Sequence, residues 1–101
     1  MKTCKLTKAA RSDLKEIGQY TSGKWGVAQE KLYLTQLFNR ITDLTENPKI
    51  GRDRPEIAHG ARSIIEGKHV IFYAITDKHI EILRVLHGQM DVKRKLKRPR
   101  R

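Results

Sequence analysis

Three strand-length runs in the C-terminal half leave this chain few ways to fold. Ala61–Glu66, Val70–Ile75 and His79–Leu86 are rich in β-branched and aromatic residues, and only Glu66-Gly67-Lys68 and Thr76-Asp77-Lys78 separate them. Parallel neighbours need a crossover of about a dozen residues or more, so spacings this short permit only antiparallel hairpins. The runs therefore predict a β-meander. The middle run shows no alternation of apolar and polar residues and is expected to be the central strand, covered on both faces. In the last run Ile80, Ile82, Arg84 and Leu86 should share one face, and Glu81, Leu83, Val85 and His87 the other.

Upstream the period changes. Cys4–Thr7 reads as a short strand, and the Thr7 hydroxyl suits a helix N-cap. Ala10, Leu14, Ile17 and Thr21 then recur on one helical face, which predicts a helix near residues 8–22 with Gly23 as its stop. Trp25-Gly26 makes the corner, where the Trp25 indole is expected to close the end of the core. A second helix runs from about Val27 to Thr45, with an apolar stripe of Val27, Leu34, Leu37, Phe38, Ile41 and Leu44, and Asn47-Pro48 ends it. Residues 48–60 carry Pro48, Gly51 and Pro55 and read as a loop. Gly51 and Gly60 are assigned to turns that need positive φ. The predicted class is α+β, in the order β-α-α-β-β-β, with the helical hairpin packed on one face of a mainly antiparallel sheet. The other face is expected to be partly open, where binding can occur.

Charge divides the chain. Its net charge is +11, and Lys93, Arg94, Lys95, Lys97, Arg98, Arg100 and Arg101 supply seven of the cations, which leaves +4 for residues 1–92. The sequence thus splits into a folded body, residues 1–91, and a basic tail, residues 92–101. Such a run of like charge is expected to be flexible on its own; it is either a solvated terminus or a segment for an acidic partner, whether nucleic acid, an acidic protein surface or an antitoxin. Cys4 is the one cysteine, so no intramolecular disulfide forms and a reducing, cytoplasmic setting is expected. Nothing approaches the roughly 18 consecutive apolar residues of a membrane span, so no membrane partner is expected. His59, His69 and His79 lack the spacing of a metal site, and no glycine-rich phosphate loop or Ser/His/Asp order is present. No metal and no cofactor are expected.

Several local sequences carry a family resemblance. They are Leu6-Thr7 with Ala10 and Asp13-Leu14, Trp25-Gly26, Asn47-Pro48 with Gly51, Glu56-Ile57 with Gly60 and Arg62, His69 to Tyr73, and Ile82 to His87 with Met90-Asp91. In this order they resemble the RelE/ParE toxin superfamily, and its ParE branch in particular, over residues 5–91. The resemblance implies the toxin of a type II toxin–antitoxin module. Such a toxin poisons DNA gyrase on DNA without turnover of its own, and a cognate, ParD-like antitoxin holds it in a hetero-oligomer. It also places Leu14, Ile17, Leu34, Phe38, Arg62 and Arg84 at the antitoxin contact. Lys93, Arg94, Lys95, Lys97 and Arg98 are expected at the target, because the branch varies most at this end.

Two other functions compete. RelE-type relatives cut mRNA on the ribosome, and Arg62, Arg84 and His87 are the residues that such a nuclease would use here. Against this, no tyrosine follows Tyr73 and Gly88 follows His87. The plainer assignment pairs Arg62 and Arg84 with Glu66, Glu81 or the antitoxin and leaves His87 as a strand end, so no catalytic residue is expected. The remaining possibility is a non-toxic basic module that binds nucleic acid.

Overall fold

Thr7 starts the first helix and ties it to the sheet with the same side chain. In the computed structural model, which describes residues 3–88, its hydroxyl accepts from the Ala10 N–H at 3.0 Å and donates to the Leu83 carbonyl at 2.8 Å. The order is β1 (Thr3–Leu6), α1 (Lys8–Trp25), α2 (Val27–Glu46), a 3₁₀ turn (Pro48–Ile50), β2 (Arg52–Asp53), β3 (Ala61–Glu66), β4 (His69–Ile75) and β5 (His79–His87). One five-stranded sheet has the order β1-β5-β4-β3-β2. β1 runs parallel to β5, and every other pairing is antiparallel. The α+β layout and the central place of the Val70–Ile75 run agree with the sequence.

The two helices meet at one residue. Gly26, at φ +95°, caps α1 through its N–H to the Ser22 carbonyl and begins α2 through its carbonyl to the Glu30 N–H. α1 passes through Gly23 instead of stopping there. Its last residue, Trp25, is 65% exposed and does not close the core. Gly18 lets the helices approach, since a Cβ there would lie 2.8 Å from a Glu30 carboxylate oxygen and 3.3 Å from Leu34.

The core lies between the hairpin and the sheet. Ala10, Leu14 and Ile17 from α1 and Leu37, Ile41 and Leu44 from α2 pack on Ile71, Tyr73, Ile80, Ile82 and Val85. Val27 and Phe38 drop out of the expected stripe, at 69% and 44% exposure. A bulge corrects the strand pattern. Phe72 opposes Arg84 while Tyr73 opposes Ile82, so Leu83 is an extra residue and Ile82 and Val85 reach the same core.

Residues 48–60 hold more order than a loop. Arg52 and Asp53 pair with Ser63 and Arg62 as a short edge strand. Gly60 has the expected positive φ, +79°. Gly51 does not, at φ −75°, and space decides its identity. A Cβ there would collide with the Tyr73 hydroxyl and lie 2.8 Å from the Ser63 carbonyl. The Gly51 N–H instead donates to that hydroxyl at 3.0 Å, and Tyr73 donates onward to the Pro48 carbonyl at 2.5 Å.

Candidate functional site

Arg84 sits at the bulge of β5, and α1 presents Asp13 to it. The guanidinium donates through Nε and Nη2 to the two carboxylate oxygens, both at 2.8 Å, and the Val85 N–H donates to the same carboxylate at 2.9 Å. Asp13 is 8% exposed. Its hydrogen bond to Arg84 pushes the guanidinium's pKa up further, so the arginine stays charged. Arg84 thus pairs with Asp13, and Glu66 pairs with Arg40 at 3.1 Å. The expected partners Glu66 and Glu81 are not used.

Arg62 lies elsewhere. It opposes Tyr73 across the sheet, and its Nη1 donates to the Gly51 carbonyl at 3.3 Å. His87 opposes His69, which is four residues from Tyr73 along β4, or about 13 Å. Arg62, Arg84 and His87 are therefore not brought together: one closes a loop, one is locked in a two-point ion pair, and one lies at the far end of the sheet.

A polar hub surrounds His87. Its ring meets that of His69 edge-on, with centroids 5.6 Å apart, and the Tyr33 hydroxyl lies 2.6 Å from His69 Nδ1. Tyr33 also donates to the Glu66 carbonyl and accepts from the Lys68 N–H, both at 3.3 Å, so α2 grips the β3–β4 turn. Burial, with the neighbouring His87 adding to it and Asp13 opposing, pushes the His69 pKa below 6.5. This hub escaped the sequence reading because Tyr33 falls between stripe positions and its partners lie 33–36 residues away. Asp13 was findable, as an acid beside Leu14 on the inner side of α1.

The residues expected at an antitoxin contact divide by burial. Leu14 and Ile17 face the core at 7% and 8% exposure, Leu34 packs partly against it, and Phe38 is 44% exposed. Phe38 lines a groove of about 520 Å³ with Cys4, Lys5, Leu6, Arg11, Ile41 and Thr42, between β1 and the two helices. The floor is apolar, and Lys5 and Arg11 bring two cations. Lys93, Arg94, Lys95, Lys97 and Arg98 lie outside the described residues. Among the described residues no group of three or more His, Cys, Asp or Glu converges on a metal position, and no helix is long and apolar enough to cross a membrane.

Residues 4–92 match the model of a family described as the ParE toxin of type II toxin-antitoxin system, parDE. The chain belongs to the ParE toxin family. Toxin ParE1 of Mycobacterium tuberculosis is 42% identical to it over 92 residues, 90% of this chain and 94% of that protein. Toxin ParE1 of Caulobacter vibrioides is 34% identical over 93 residues, 92% and 96% of the two chains. Among solved structures, a chain of the chromosomal ParDE system from P. aeruginosa shares the fold at TM-score 0.74, covering 86% of this chain and 96% of its own at 21% identity. A chain of the RelBE2 toxin–antitoxin complex from Mycobacterium tuberculosis matches at TM-score 0.63 and 27% identity, covering 85% and 96%. The ParE-type assignment makes this chain the toxin of a type II toxin–antitoxin system.

Proposed function

We propose that this ParE-family toxin acts as a poison of DNA gyrase, trapping the enzyme on cleaved DNA in the cytoplasm, with no turnover of its own. A ParD-like antitoxin neutralises it in a toxin–antitoxin hetero-oligomer. The observation that carries the reading is the state of Arg84. An RNase needs a guanidinium free to meet the developing charge on phosphate, and here that group is spent on Asp13. Arg62 and His87, offset by about 13 Å along the strands and lying on either side of β4, do not replace it. The antitoxin partner is supported by the solved relatives, which come from toxin–antitoxin systems. Its docking region is the groove with Phe38 on its wall and Leu34 nearby, and Arg62 and Arg84 serve as structural cations. The cationic residues Lys93 to Arg98 are assigned to the gyrase–DNA complex.

Two reactions run side by side test this. Added to gyrase and supercoiled plasmid, the purified toxin should cause linear DNA to accumulate. Added to programmed ribosomes, it should leave the mRNA whole. Codon-specific cuts, with gyrase unaffected, would overturn the proposal in favour of a ribosome-dependent mRNA interferase.

A further inference from the structure

One side of α1 is cationic and turned away from the core, with Arg11 at its border reaching the groove that Phe38 lines. Lys8, Arg11, Ser12, Lys15 and Gln19 follow the i, i+3, i+4, i+7, i+11 pattern, all are exposed, and they point away from the side that buries Ala10, Leu14 and Ile17. The stripe contains no acid. Among the described residues, Lys8, Arg11 and Lys15 form no ion pair. The nearby Glu16 lies close enough to Arg84 to favour its charge. The first turn of α1 carries no acidic residue to offset these cations, although positive charge there opposes the helix dipole. α1 therefore carries uncompensated positive charge along its outer side.

We propose that this stripe of α1 is a surface that tracks the phosphodiester backbone of duplex DNA. The chemistry selects that partner. An acidic peptide needs apolar anchors as well as charge, and none stands within the stripe: Tyr20 and Trp25, the exposed large apolar residues of α1, lie off it at helical spacing, and Phe38, on α2, shares a groove with Arg11 but with no other residue of the stripe. Single-stranded nucleic acid is held by stacking its bases on aromatic rings, and the stripe has no ring. What remains is lysine and arginine, which meet phosphate oxygens without reading sequence, together with the hydroxyl of Ser12 and the amide of Gln19. The cations lie about 4.5 and 6 Å apart along the helix axis. Each strand of a duplex advances by one phosphate per roughly 3.4 Å of its axis, which keeps several phosphates within reach of flexible lysine and arginine stems. This inference goes beyond the gyrase reading and stands on free duplex DNA.

The test is binding of the full chain to a labelled duplex by fluorescence anisotropy, across a salt series. Each phosphate contact contributes about 0.9 to the slope of log affinity against log salt. The triple variant Lys8→Gln, Arg11→Gln, Lys15→Gln should therefore flatten that slope by roughly 2.7. A second triple, Lys31→Gln, Lys49→Gln, Lys78→Gln, removes the same charge elsewhere and should leave the slope near that of the parent. Glutamine keeps helix propensity close to that of lysine, so both should melt near the parent temperature. Equal flattening by the two triples would reduce the effect to net charge and overturn the inference. So would a stripe variant that loses the antitoxin while keeping the parent's salt slope. A chain that binds DNA through the stripe but fails to trap gyrase retains this inference and loses the proposed function.

Discussion

Asp13 accepts three hydrogen bonds from β5 while sitting on α1, so one carboxylate holds the helix to the bulge of the strand. Taking it away leaves a part-buried guanidinium and a buried strand N–H without this partner. Breaking a buried pair from one side costs about 3–5 kcal/mol, and the part-exposed Arg84 side chain puts this case near the low end. Asp13→Ala should therefore lose about 3 kcal/mol in urea unfolding, a large share of the stability of a domain this size. A loss below about 1 kcal/mol, on the scale of an exposed pair, would show that the bond is ornamental. The sequence showed an acid next to Leu14 but no partner, because helical periodicity fixes which residues face inward and Arg84 comes 71 residues later. Gly51 departs from the expected positive φ for a related reason. A loop glycine suggests a positive φ, yet the constraint here is the hydroxyl of Tyr73, 22 residues further along.

At the scale of elements, the hairpin of β3 and β4 is fixed to α2 by Tyr33 and by the ion pair of Arg40 with Glu66. This makes the attachment sensitive to pH. His69 has its pKa pushed below 6.5, first by burial and then by His87 beside it. The folded chain therefore takes up that proton less readily than the unfolded chain. The stability involved is intact above pH 6.5 and drains away as pH falls from there through the folded-state value. Urea unfolding between pH 7.5 and 5 should show the parent weakening faster than His69→Gln, and parallel curves would rule the histidine out. The parts of this region legible in sequence were those set by short connections: two tight turns leave three strands no choice but a meander. β2 was invisible because two residues carry no periodicity. The bulge at Leu83 left a trace in sequence, since the adjacent apolar pair Ile82-Leu83 breaks the alternation and Arg84-Val85 resumes it in the opposite phase, but a strict two-residue period reads straight across it.

For the whole molecule, what matters is which apolar residues hold the fold and which await a partner. Leu14 and Leu37 belong to the core, whereas Phe38, one residue beyond Leu37, has 44% of its surface exposed above a groove flanked by Lys5 and Arg11. An aromatic wall beside two cations suits a partner segment that brings apolar and acidic side chains together. Because Phe38 is not part of the core, Phe38→Ser should shift folding stability by no more than about 0.5–1 kcal/mol. If the antitoxin seats an anchor against this ring, the same change should cost at least about 2 kcal/mol of binding, roughly a 30-fold rise in Kd. Cells coexpressing antitoxin would then be protected from the parent toxin and not from the variant. Leu14→Ala should behave in the opposite way, losing about 2–5 kcal/mol of folding stability with no preferential escape from the antitoxin. Calorimetric titration of the antitoxin against both variants, beside their urea midpoints, separates the two roles. Should Phe38→Ser bind as tightly as the parent, the antitoxin must cover another face, and the groove would not be the seat of neutralisation.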